Sequence, residues 1–84
     1  MTRLGLYLEN RSINKSAVSR KTGISKARLS ELSTKEHARL SAAELFLIAL
    51  AIEVEPGNML DELYAPLREE FRDSSAGEEK KKQP

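Results

Sequence analysis

Apolar residues along the 84-residue chain recur at intervals of three and four and nowhere alternate, a pattern that predicts helices and no strands. Leu4, Tyr7 and Leu8 mark one face of a first helix running to about Arg11. Asn14 can cap a second helix over Lys15 to Thr22, with Ile13 just outside it and Val18 at its fourth position, the pairing of a hydrophobic staple. Gly23 supplies the left-handed turn that closes this helix. Ser25 offers a hydroxyl to a third helix, Lys26 to about Leu32, whose Leu29 and Leu32 point inward. Residues 33–39, STKEHAR, read as a polar loop.

The clearest start signal comes next along the chain. Leu40, Ser41, Glu44 and Leu45 combine a capping box with a second staple, so a fourth helix is expected from Ala42 to about Ile52. Its stretch AAELFLIALAI is apolar nearly all round, which in a soluble chain means burial on more than one side. Pro56, Gly57 and Asn58 turn the chain into a short fifth helix carrying Met59, Leu60, Leu63 and Tyr64, and Pro66 should end or bend it near Tyr64. Leu67 and Phe71 belong to one or two further turns. From Asp73 onward, DSSAGEEKKKQP holds no apolar residue larger than alanine, so residues 1–72 are expected to form the domain and 73–84 a disordered charged tail.

Composition narrows the function classes. At 39% hydrophobic residues a chain this short supports one core and no deep enzyme cleft. Without cysteine there is neither a disulfide nor a thiolate metal site, and a reducing compartment is compatible. No apolar run approaches a membrane span, and MTRLGLYLEN lacks the apolar core of a signal peptide, so a soluble, cytoplasmic protein is expected. The net charge of +1 conceals an asymmetry. Residues 11–39 hold eight basic side chains against two acidic ones, a local +6, whereas residues 40–84 carry −5. A basic zone of this kind is the footprint of a face that binds a polyanion.

The basic zone coincides with the two short helices broken at Gly23, and that unit reads as a helix-turn-helix. From Lys15 to Leu32, Val18 falls at position four, Gly23 at nine, Ile24 at ten, Leu29 at fifteen and Leu32 at eighteen. With one helix before it and two after, the stretch from about Leu4 to Tyr64 resembles the Cro/C1-type (XRE) helix-turn-helix family of bacterial and phage regulators. The resemblance implies an all-α fold, a compact five-helix, lambda repressor-like domain with a short C-terminal extension. Ser19 and Thr22 depart from the family pattern, standing where an alanine and a larger aliphatic residue are usual.

The B-form major groove admits one helix, and its base edges show a distinct donor and acceptor pattern for each pair. Setting Leu29 and Leu32 inward turns Ala27 and Glu31 most directly outward, with Lys26 and Ser30 beside them and Arg28 on the flank. Lys26 suits guanine, Ala27 a thymine methyl and Glu31 the cytosine amino group, while Arg28 is long enough for a base or a phosphate. An intrahelical ion pair between Arg28 and Glu31 at i,i+3 is the competing use of those two side chains. Phosphate contacts fall to Lys15 at the start of the second helix, where amides and dipole favour an anion, to Ser25, and to Lys35 and Arg39 in the loop, with His37 and Ser33 as lesser candidates. In the resembling family the position of Lys15 often holds a glutamine that clamps the backbone.

Against the family pattern, Leu47 and Leu50 fall where charged residues usually face solvent, and with Ala43 they form an apolar stripe. Two covers are expected to compete: Tyr64, Leu67 and Phe71 folding back over the stripe, or a second subunit making a homodimer with reader helices about 34 Å apart. The expected function is a DNA-binding transcriptional regulator acting on double-stranded DNA. An antitoxin-type regulator holding a protein partner, or a protein-interaction module using the stripe, are the alternatives. An enzyme is disfavoured, because no nucleophile with a base and no phosphate loop is present, and a single histidine, His37, gives metal or histidine chemistry little to work with. No cofactor, metal or small-molecule substrate is expected.

Overall fold

A computed structural model describes residues 1–82, with side chains described through residue 74, and contains six helices and no strand among them. They are α1 (Arg3–Asn10), α2 (Lys15–Thr22), α3 (Lys26–Thr34), α4 (Ala42–Ala51), α5 (Pro56–Leu63) and α6 (Ala65–Lys82). Leu8, Leu29, Ile48, Ala49 and Met59 sit at the centre of one core, enclosed by Leu4, Tyr7, Val18, Leu32, Leu45 and Leu63. α3 packs chiefly on α1 and α2, and α4 on α2 and α5, so α2 lies between the third and fourth helices.

The helix starts are set locally. Thr2, Asn14, Ser25, Ser41 and Glu55 each accept a hydrogen bond from the amide three residues on, satisfying a donor that the first helical turn leaves free. At Ser41 the box is reciprocal: its hydroxyl accepts from the Glu44 amide at 3.1 Å, and the Glu44 carboxylate accepts from the Ser41 amide at 2.9 Å. Pro56 does not lie in a turn ahead of α5 but occupies its first position, where a missing N–H costs nothing.

Two helices close through a left-handed residue that is not glycine. After α1 the Ile13 amide reaches the Leu8 carbonyl and the Ser12 amide that of Glu9; after α4 the Val54 amide reaches Ala49 and the Glu53 amide Leu50. Both are Schellman closures, and both place an L-residue in the left-handed region, Ser12 at φ 55° and Glu53 at φ 62°.

Two expectations are corrected. There are six helices and not five, because Pro66 stands in the first turn of α6, where it begins a helix as readily as it interrupts the one before. The backbone from Asp73 is helical as far as Lys82, and Gln83 and Pro84, the end of the expected tail, lie outside the described residues. Finally, Tyr64, Leu67 and Phe71 do not cover Ala43, Leu47 and Leu50. All six are exposed, Leu50 by 53% and Phe71 by 70%, because the new start at Ala65 directs α6 outward. Among the described residues no helix is long and apolar enough to cross a membrane.

Candidate nucleic-acid interface

The turn between α2 and α3 is built from Gly23, Ile24 and Ser25. Gly23 has φ 82°, and a Cβ there would meet nothing within 4 Å, so backbone conformation alone demands glycine. Its amide donates to the Ser19 carbonyl at 2.9 Å. Thr22 supplies what a larger aliphatic side chain could not: its hydroxyl donates to the Val18 carbonyl at 2.8 Å and accepts from the Ile24 amide at 3.1 Å, fastening the turn to α2. Ile24 packs against the core beyond it.

α3 is divided lengthwise. Leu29, Leu32 and Ser33 are buried, whereas Lys26, Ala27, Ser30, Glu31 and Thr34 are exposed. The helix runs past Leu32, and two hydroxyls bond back along its last turn, Ser33 Oγ to the Leu29 carbonyl at 2.7 Å and Thr34 Oγ1 to the Ser30 carbonyl at 2.8 Å. Ser33, a loop residue by sequence and a lesser phosphate candidate, is 1% exposed and unable to touch a ligand. Thr34 joins the outward row formed by Ala27, Ser30 and Glu31, a place that sequence reasoning missed by ending the helix early.

Of the other anticipated contacts, Ser25 and Lys35 cap the two ends of α3, and the Arg39 carbonyl meets Arg28. Ser25 spends its oxygen on the Arg28 amide at 3.0 Å, and its O–H remains a donor. Lys15 is the first residue of α2, beside the cap Asn14. In the loop after α3, Ala38 and Leu40 pack on the core, while Lys35, Glu36, His37 and Arg39 are exposed.

Arg28 departs most from expectation. Its Nε donates to Glu44 Oε2 at 2.8 Å, Nη1 to Glu31 Oε1 at 3.0 Å, and Nη2 to the Arg39 carbonyl at 2.9 Å and to Glu44 Oε1 at 3.3 Å. The i,i+3 pair with Glu31 exists, but the stronger partner is Glu44, at the start of α4. Glu44 thus accepts from Arg28 and the Ser41 amide together. The Arg28 hydrogen bond, with those of Ser41, outweighs partial burial and lowers its carboxyl to about 2. The same two carboxylates, Glu44 first, raise the guanidinium above its ordinary value. No group of three or more histidine, cysteine, aspartate or glutamate side chains suited to a metal ion occurs among the described residues.

Away from this face the surface carries two apolar strips. One is Ala43, Phe46, Leu47 and Leu50 on α4; the other is a shallow groove lined by Leu60, Tyr64, Leu67 and Phe71, with Asp61 and Arg68 paired at its edge.

Compared with known families, residues 3–61 match the model for the Cro/C1-type HTH DNA-binding domain. No curated protein and no solved structure matches the chain.

Proposed function

The chain belongs to the family of Cro/C1-type helix-turn-helix DNA-binding domains, and from that premise we propose that it is a sequence-specific transcriptional regulator that lays α3 in the major groove of duplex DNA. The observation carrying this reading is the division of α3 into a buried row and an exposed polar row, rimmed by Lys15, Lys35 and Arg39. Lys26 donates to guanine, Ala27 packs on a thymine methyl, Ser30 serves either partner and Glu31 accepts from the cytosine amino group. Thr34 extends this row. Arg28 leaves the group of base readers, since its Nε, Nη1 and Nη2 are all engaged within the protein. Lys15, Ser25, Lys35, His37 and Arg39 hold phosphates and set the register. Such a protein does no chemistry of its own and works in the bacterial cytoplasm, where its DNA lies.

A second surface is favoured by the apolar strips, since exposed aliphatic and aromatic side chains in a row mark a contact site. We assign it to a second copy of the chain, which would place two α3 helices about 34 Å apart on a two-fold operator. Occupation by a toxin or another protein is the alternative.

Fluorescence anisotropy with a mixed-sequence duplex, read at several salt concentrations, tests the DNA reading. Each phosphate contact steepens the fall of log affinity with log salt by about 0.9. A steep slope that flattens when Lys15, Lys26, Lys35 and Arg39 become alanine supports it; absence of binding at low salt leaves a protein-interaction module.

A further inference from the structure

Glu31 is the one acidic side chain on the exposed row of α3, and it faces a problem that its neighbours do not. A free glutamate on a helix surface rotates about three bonds, and fixing it against a base costs conformational entropy. It also brings a negative charge toward phosphates. In this structure Arg28 meets both difficulties, because Nη1 holds Glu31 Oε1 at 3.0 Å and leaves Oε2 to accept from a base. Arg28 is in turn oriented from the other side, by Glu44 through Nε and Nη2 and by the Arg39 carbonyl.

Glu44 is well placed for that task. Its side chain is 19% exposed against 46% for Glu31, and the Ser41 amide fixes it as part of the α4 cap. α3 rests on α1 and α2 and α4 on α2 and α5, so the bridge links two helices that share little backbone packing. The chain of contacts runs from the Ser41 amide through Glu44 and Arg28 to Glu31, and ends on the exposed row.

We propose that Glu44 and Arg28 are positioning residues for base recognition: Glu44, on α4 and behind the reading face, aims Arg28, and Arg28 presents the Glu31 carboxylate in one orientation. This rests on the DNA-binding reading above. Base preference at the position Glu31 reads therefore depends on Glu44, which belongs to another helix.

The test is selection from a random duplex pool with the full chain, then competition between the enriched duplex and single-base variants of it. Glu44→Gln keeps an amide oxygen for the Ser41 cap while removing the charge that holds Arg28. It is expected to lower discrimination at one base position about fivefold, within the range of a single good base contact, with affinity for a mixed-sequence duplex within about twofold of the parent. Arg28→Lys, which cannot bridge two carboxylates and a carbonyl together, should reproduce that profile. In a Glu31→Gln background, Glu44→Gln should cause no further loss of discrimination. A residue that only stabilises the fold would weaken enriched and mixed duplexes equally in both backgrounds, and that result overturns the inference, as does an unchanged base profile in both Glu44→Gln and Arg28→Lys. Failure of the parent chain to enrich any sequence would remove the DNA reading itself, and this inference with it.

Discussion

Gly5 lies directly against the carbonyl oxygen of Ser33, with no room for a side chain between α1 and the end of α3. A Cβ built at Gly5 overlaps that oxygen, a backbone atom that cannot move aside without shifting the helix. Next to it the Thr2 amide donates to the same carbonyl at 2.9 Å, and the Thr2 hydroxyl to the Leu32 carbonyl at 2.7 Å. Helix propensity alone predicts that Gly5→Ala stabilises α1 by about 1 kcal/mol. The contact predicts the reverse, a loss of roughly 1–3 kcal/mol from overpacking, readable as a lower midpoint in urea.

The left-handed closures at Ser12 and Glu53 predict gains. An L-residue there carries about 1–2 kcal/mol of strain that glycine avoids, while glycine loses about 0.5–1 kcal/mol more backbone entropy on folding. Ser12→Gly and Glu53→Gly should each raise stability by about 0.5 kcal/mol, the difference between those two effects, and together they should add, since they close different helices. Thermal unfolding of the two single variants and the double variant checks both statements.

These closures show where the sequence is legible and where it is not. Asn14, Ser25 and Ser41 announce their helices because a cap and the amide it binds lie three residues apart, and Gly23 announces its turn because only glycine relaxes there. The partner of Arg28 stays hidden, since Glu44 is sixteen residues away and reaches it across a loop. The end of α3 is obscured because Ser33 and Thr34, polar by composition, turn their hydroxyls back on the helix. At Pro66 the sequence states a break but not the direction of α6, and that direction decides whether Leu67 and Phe71 are covered.

Acid should act on Glu44. Its carboxyl is lowered to about 2 in the fold, mainly by Arg28, against about 4.3 in an unfolded chain. A group with a depressed folded value contributes stability that is full above the unfolded value and is lost as pH falls through the folded one. The difference in stability between the parent and Glu44→Gln should therefore be constant above about pH 5 and shrink between about pH 4.5 and 2. Urea unfolding at a series of pH values measures it; a difference independent of pH would detach Glu44 from acid sensitivity.

Lys35 and Arg39 are exposed on a loop that Ala38 and Leu40 anchor to the core. Replacing either by alanine should reduce the salt slope of DNA binding by about 0.9 and leave the order of preferred bases unchanged. Glu31→Gln should do the opposite, altering the preferred base with little change in slope. Anisotropy titrations against the enriched duplex and its single-base variants separate the two effects.

The apolar strips predict self-association. Sedimentation at tens of micromolar should show a dimer for the parent chain, and Leu67→Lys with Phe71→Lys, or Leu47→Lys with Leu50→Lys, should give monomers. Because these side chains are 39–70% exposed, the substitutions should leave the unfolding midpoint of the monomer nearly unchanged. A parent chain that is monomeric at this concentration, with DNA and without, would remove the second copy as occupant.

Lys26, Ala27, Ser30 and Thr34 contribute nothing to the core, while Leu29, Leu32 and Ser33 on the same nine-residue helix contribute nothing to the outside. On the proposed reading the two rows can change separately, so new target sequences can be tried through the outward positions with little disturbance of the core. Glu31 is the exception: tied through Arg28 to the cap of α4, it drifts only in company, and its target base should be the slowest of the set to diverge.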